Sequence, residues 1–296
     1  MMLDQQMLLQ APVLDHRDVD LDAAERVTYF LEQSFRYDYT EPIQRLRQRL
    51  VVLPPARYGN QYLRAHRLDV DGAAARRMTR HDVRGNTVVR LHAERVERSV
   101  EFRLGALLER IRGDGPVLLS AAALRDPSLL RATRLTAADL RLRTLADELG
   151  RDDLTPLELA GKVCTTVHSL LDYEYGVTAV TTSAADALAG GRGVCQDSAH
   201  IMLALCHLLA LPARYVSGHL LGQGGTHAWV EVVTAQADHA VATAFDPCNG
   251  VPGSARYLTV ATGRDYADVR PTSGGYHGSG AGRLTTDRRV AVLAAA

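Results

Sequence analysis

Three residues offer the clearest chemistry in this sequence. Cys195 follows a glycine turn in G-R-G-V-C and opens an apolar run, 195–211, that reads as a helix stopped by Pro212. The first turn of a helix presents unpaired N–H groups and partial positive charge. That favours the thiolate, the nucleophilic form of cysteine. The same amides can receive the oxyanion that forms when a sulfur attacks a carbonyl. His227, 32 positions on, stands early in T-H-A-W-V-E-V, a strand entered from a glycine-rich loop. Asp246 ends the next strand, in A-F-D-P-C-N-G. Adjacent antiparallel strands would set the two side by side, the carboxylate fixing the imidazole tautomer and the imidazole activating the thiol. Taken singly, each has a plainer role: an inert helix-start thiol, a surface histidine, a turn aspartate. Their order, each on a suitable element, points to a nucleophile, a base and an orienting carboxylate.

The elements that must hold these residues can be read around them. Three successive strands are expected at 213–221, 226–234 and 241–245, after a short helix at 182–188. Thr155-Pro156-Leu157-Glu158 has the N-cap, first-position proline and reciprocal glutamate of a helix start, and Leu159, Val163, Val167 and Leu170 form its core-facing stripe. Upstream, from Val27 to about Arg112, the texture is β. Runs at 27–30, 50–53, 61–70, 87–91 and 99–104 are separated by turns such as Tyr58-Gly59-Asn60 and Arg84-Gly85-Asn86. The expected fold is α+β: an N-terminal antiparallel, sandwich-like β domain over 23–112, a helical linker over 113–151 with helices at 122–131 and 137–149, and a core over 152–277 in which the Cys195 helix packs on an antiparallel sheet. Residues 1–22 read as a leader, and the glycine-rich end, 278–296, as a flexible tail.

Composition removes other classes. The chain has 296 residues, 34 basic and 34 acidic, for a net charge of zero, so no nucleic-acid or polybasic membrane partner is expected. Lys162 is the only lysine beside 33 arginines, an imbalance that a high-GC coding bias would produce. No apolar run approaches the roughly 20 residues of a membrane span, and the start has no signal-peptide pattern. The four cysteines, Cys164, Cys195, Cys206 and Cys248, form no C-x-x-C pair and read as free thiols of a cytoplasmic protein. His200 and His207 share a helical face but lack a third partner, so neither a metal nor a cofactor is expected.

The sequence resembles the bacterial transglutaminase-like superfamily, whose members are described as cysteine proteases. The resemblance rests on G-R-G-V-C-Q-D-S-A-H-I-M-L-A-L-C, L-P-A-R-Y-V-S-G-H-L, T-H-A-W-V-E-V, F-D-P-C-N-G and G-R-D-Y-A-D-V-R-P, which together cover about 152–277. R-Y-G-N and R-G-N lie in the segment matching the family's N-terminal β domain. The resemblance implies a papain-like thiol triad of Cys195, His227 and Asp246. It implies acyl transfer through a thioester on Cys195, acting on peptide, isopeptide or other amide bonds. Hydrolysis is favoured; transfer to an amine acceptor, or amide synthesis in a biosynthetic pathway, is the enzymatic alternative, and a silent peptide-binding scaffold the non-enzymatic one. The chain departs from the family in having Ser198 after C-x-D, Cys248 in place of Thr or Ser, and no tryptophan before F-D-P.

Three more residues are candidates for substrate contact. Trp229 shares the strand face of His227, so it shields the thiolate–imidazolium pair, lines the acyl site or packs in the core. Gln196 follows the nucleophile, near the oxyanion or in solvent. Tyr266, with Asp265 and Asp268, lies in a loop after the triad that either covers the cleft or packs on the β domain. Cys248, two positions from Asp246, is a turn residue or a disulfide partner for Cys195.

Overall fold

The computed structural model describes residues 13–150 and 153–296. The chain first forms seven strands: β1 (Arg26–Tyr39), β2 (Ile43–Leu53), β3 (Arg57–Tyr58), β4 (Gln61–Asp71), β5 (Ala75–His81), β6 (Thr87–Val96) and β7 (Ser99–Ile111). Burial alternates along much of β1, β6 and β7, as a half-buried sheet requires, whereas β5 is exposed along nearly its whole length. On β1 the side chains of Tyr29, Leu31 and Phe35 point into a core that they share with Leu46, Leu50, Val89 and Leu91. The linker holds a strand, β8 (Val117–Ser120), short 3-10 turns, and helices Pro127–Leu130 and Leu140–Leu149. It is thus less helical than expected, because β8 adds to the sheet of the core.

The core begins with the helix Pro156–Leu170, whose capping box between Thr155 and Glu158 forms as the sequence predicts. Next come β9 (Asp172–Tyr173), the helix Ala184–Gly190, β10 (Arg192–Gly193) and the helix Cys195–Leu208. β11 (Ala213–Leu220), β12 (His227–Gln236), β13 (His239–Asp246), β14 (Val251–Pro252) and β15 (Tyr257–Gly263) then form an antiparallel sheet in the order β14-β13-β12-β11-β15, with β8 on the outer edge of β13. Every residue of the Cys195 helix from Gln196 to Cys206 is buried. Its apolar side chains meet Tyr215, Ala228, Val230 and Val232 of the sheet on one side and the neighbouring helices on the other. A helix that is apolar all round is stable only when enclosed in this way.

The end of the chain corrects the sequence reading. After a short helical turn, Tyr266–Val269, β16 (Thr272–His277) pairs with β2, and β17 (Gly282–Ala295) pairs with β1 along its length, from Tyr39↔Gly282 to Val27↔Ala295. The sandwich therefore consists of sheets β17-β1-β7-β4-β3 and β16-β2-β6-β5, both completed by the C-terminus. Residues 278–296 are not a flexible tail, and the β domain is not confined to 23–112. Of the expected leader, residues 1–12 lie outside the described residues, while Leu14 bridges to Val292 and Leu21 is buried.

The turn motifs of the β domain fasten it to the core sheet. The Gln61 side-chain amide donates to Thr259 O at 2.8 Å and accepts from Thr259 N at 2.9 Å. Asn86 does the same with Thr262, at 2.8 Å in both directions. Each amide takes the place of a neighbouring strand and satisfies buried backbone groups of β15. Tyr58 reaches the far face of the sheet, where Arg214 Nη2 donates to its hydroxyl at 2.8 Å and Arg214 Nε donates to Glu231 at 2.8 Å. Among the described residues no helix is long and apolar enough to cross a membrane.

Candidate active site

Cys195 opens its helix after Gly193, and the reason for that glycine is steric. A Cβ at Gly193 would lie 2.8 Å from Asp197 Oδ2. That carboxylate folds back to accept the Val194 N–H at 2.9 Å and the Thr178 hydroxyl at 2.7 Å. Asp197 thus closes the helix start and also holds the segment before it. Burial raises its pKa, against the effect of these hydrogen bonds.

His227 is the first residue of β12, opposite Gly218 of β11. Gly218 must also lack a side chain, because a Cβ there would meet Leu258 O at 2.1 Å and the Trp229 ring at 2.5 Å. The β12–β13 register sets Val230 opposite Phe245. Asp246 then falls beside Trp229 and diagonal to His227, within side-chain reach on one face. His227 Nε2 donates to Asp246 Oδ2 at 2.7 Å, and the ring also hydrogen-bonds Cys195. The nitrogen left for the sulfur is Nδ1. Burial disfavours the imidazolium, but the hydrogen bonds and charges of Asp246 and Cys195 outweigh it and raise the His227 pKa to about 9.

Asp246 is fully buried and receives five donors. Its Oδ2 accepts from His227, from Asn249 Nδ2 at 2.6 Å and from the Tyr257 hydroxyl at 2.7 Å; its Oδ1 accepts the backbone N–H groups of Cys248 at 2.9 Å and Asn249 at 3.2 Å. Burial alone would raise its pKa; the His227, Asn249 and Tyr257 hydrogen bonds lower it below the usual carboxylate value. The sequence reading missed two of these partners. Asn249 follows Asp246 in the F-D-P-C-N-G turn, a position from which an Asx-type bond is expected. Tyr257 arrives from β15 and has no local signal.

Cys195 and His227 open onto a cleft of about 900 Å³. Gln196, Tyr215, Ser217 and Tyr266 line it, as do the Gln223–Gly225 loop and Tyr173 and Tyr175. Gln196 and Tyr266 are therefore where a substrate can touch them. The backbone N–H of Tyr266 donates to Nε2 of the buried His200 at 3.2 Å, and burial pushes the His200 pKa down to about 4. Trp229 is not in the cleft. It is 1% exposed, stacks beside His227 with ring centroids 6.3 Å apart, and meets Tyr257 edge-on at 5.4 Å. It braces the imidazole from behind, and the expectation that it lines the acyl site is corrected. The opposite wall of the cleft is built by Leu284, Thr286 and Arg288 of β17, which the sequence reading assigned to a tail.

Burial pushes Cys164 and Cys206 up to about 12. Cys248 also rises to about 12, by burial and then by the neighbouring charges of Cys195 and Asp246. Among the described residues, no group of three or more His, Cys, Asp and Glu side chains could hold a metal ion.

Comparison with known proteins agrees with this architecture. Residues 143–242 match the transglutaminase-like superfamily, and residues 29–109 match the bacterial transglutaminase-like N-terminal region. The chain thus carries a transglutaminase-like core domain behind a domain that matches the bacterial transglutaminase-like N-terminal region. The core match includes Cys195 and His227 and stops just short of Asp246. Uncharacterized protein Rv2569c of Mycobacterium tuberculosis is 29% identical over 276 residues, covering 84% of this chain and 83% of that one. Uncharacterized protein ML0607 of Mycobacterium leprae is 33% identical over 180 residues, and the match spans 57% of this chain and 62% of that protein. A crystal structure described as a putative cysteine protease from Cytophaga hutchinsonii superposes with a TM-score of 0.73 over 91% of each chain, at 22% identity. That likeness is one of fold.

Proposed function

We propose that the protein is a cysteine-dependent acyl-transfer enzyme that cleaves peptide, isopeptide or related amide bonds. The observation that carries this reading is the buried His227, which bridges Cys195 and an Asp246 held by five donors at the mouth of a cleft. The Cys195 sulfur attacks the amide carbon, and the oxyanion faces the amides of the helix start. His227 passes its proton to the leaving nitrogen as the C–N bond breaks, which leaves a thioester and a free amine. Water then attacks the thioester, His227 takes its proton, and the acid departs with the thiolate restored. An amine in place of water would make a new amide by the same route. Hydrolysis is favoured because the cleft is open: Tyr173 and Tyr175 at its rim are 65% and 88% exposed, so water reaches the acyl group.

Competitive alkylation tests the assignment. At neutral pH iodoacetamide should modify Cys195 well before Cys164, Cys206 or Cys248, read by peptide mass mapping. A Cys195 no more reactive than Cys206 would favour a binding scaffold.

A further inference from the structure

The inward face of β17 changes its surroundings along its length. Val292 and Val290 pack in the sandwich core. The next residues on that face at two-residue spacing, Arg288, Thr286 and Leu284, line the cleft with Cys195 and His227. Opposite Arg288 on β1 stands Gln33, which is 2% exposed. Arg288 Nε and Gln33 Nε2 are both buried donors with no acceptor in the protein.

The charges around Arg288 stop short of an ion pair. No carboxylate forms an ion pair with it among the described residues, although thirteen other arginines are so paired. Glu32 pairs in register with Arg289, and Ser34 with Asp287, which sets these acids on the other face of the sheet; Asp287 still acts on Arg288 through space, and a small cavity at the sheet surface is lined by Glu32, Asp287, Gln33 and Arg288 together. Glu101, opposite Arg36, lies on that face too. On the cleft side the guanidinium is near Tyr175 and Tyr266. His219, which burial pushes down to about 3, stands near it as a neutral ring. Phe35 lies 5.7 Å from the guanidinium carbon, and Nη1 is 3.9 Å from the position a Cβ would take on Gly225. Gly225 precedes His227 by two residues, about 7 Å of extended chain.

A half-buried guanidinium whose Nε is sealed from solvent, and a buried amide donor at the paired position, lack acceptors at these nitrogens and are completed by an anion with planar oxygens; a carboxylate fits the guanidinium fork. We propose that Arg288, backed by Gln33, is a carboxylate-binding subsite of the cleft. The acyl donor then bears a carboxylate one or two residues from the carbonyl that Cys195 attacks. This inference rests on the thiol reading of the site and names its substrate class. The carboxylate belongs either to an acidic side chain of a peptide or to the main chain of a glutamyl unit attacked through its side-chain amide.

Matched chloromethyl ketones separate the two sources. The Cys195 sulfur displaces chloride, forming C–S as C–Cl breaks, whatever the later acyl acceptor. One pair is benzyloxycarbonyl-Glu-Gly-chloromethyl ketone and its Gln counterpart. The other is the γ-chloromethyl ketone of benzyloxycarbonyl-glutamate with its α-carboxyl free or amidated. Rates are normalised to each variant's own iodoacetamide rate. In one pair the carboxylate probe should react about tenfold faster with the native protein. Arg288→Gln should bring that ratio near one, and Arg288→Lys should keep part of it. Cys195→Ala protein titrated calorimetrically with Glu-Gly and Gln-Gly amides, and with the free and amidated glutamine derivatives, reads the same preference without the thiol. Arg288-dependent binding there with an unreactive Cys195 would sink the thiol reading and leave the subsite. Absence of a preference in both pairs and in the titration, or a preference that survives Arg288→Gln, would overturn the subsite.

Discussion

Replacing Asp246 by Asn tests the electrostatic design of the site, because its consequences can be worked out atom by atom. The His227 pKa stands at about 9 against an ordinary 6.5. At 1.36 kcal/mol per unit, its partners favour the imidazolium over the neutral ring by about 3 kcal/mol net of burial. The lowered Asp246 pKa is the same interaction seen from the carboxylate and is not added to it. Since the folded pKa is raised, the stability linked to His227 is complete below pH 6.5 and is lost as pH rises through about 9. The Asp246→Asn substitution would remove the anion and keep the shape. It would also put an NH2 group against either the three donors at Oδ2 or the two backbone N–H groups at Oδ1. Each abandoned buried donor costs about 1–3 kcal/mol, so thermal stability should fall by several kcal/mol as well. The assay is an imidazole NMR titration of His227, alongside the pH profile of Cys195 alkylation. In the native protein the ring should titrate near pH 9; in the variant the midpoint should drop by at least one unit, and acylation should slow by about 10²–10⁴. A His227 midpoint unmoved by Asp246→Asn would refute the reasoning.

Further outcomes follow from the same geometry. Asn86→Ala should lower stability by about 2–4 kcal/mol, read by urea unfolding, because it strands the N–H and C=O of Thr262; a change under about 0.5 kcal/mol would mean that β15 does not depend on the β domain. If Cys248 is a redox partner, peroxide converts the Cys195 thiolate to a sulfenic acid, and Cys248 condenses with it, releasing water. Intact mass would then fall by about 2 Da on peroxide treatment, reversibly with dithiothreitol, and Cys248→Ser would abolish the change; an identical loss in the variant would remove Cys248 from that role.

The three candidate catalytic residues were legible because each sits in a short motif on an element with a local signature. Cys195 follows glycines at a helix start, His227 begins a strand after a glycine loop, and Asp246 ends the next strand. The bracing around His227 and Asp246 was not legible. Tyr257 and Trp229 owe their places to strand order and register, which a linear reading does not carry. β17 was missed for a different reason. Its inward residues run Leu284, Thr286, Arg288, Val290 and Val292, and the first part of that face lines the cleft instead of the sandwich core. Apolar alternation, the usual mark of a strand, is broken where the strand serves the site. Gln61 and Asn86 stood in turn-like motifs whose role, mimicking a strand edge for β15, exists only once the two bodies meet.

The central claim is a covalent acyl group on Cys195. Incubation of the native protein with a peptide library, followed by rapid acid quench and intact-mass analysis, should show a mass increase equal to an acyl fragment. That fragment should map to Cys195, be cleared by hydroxylamine, and be absent from Cys195→Ala. Turnover of any peptide in the library by Cys195→Ala at the native rate, or an adduct carried by another residue, would contradict the account.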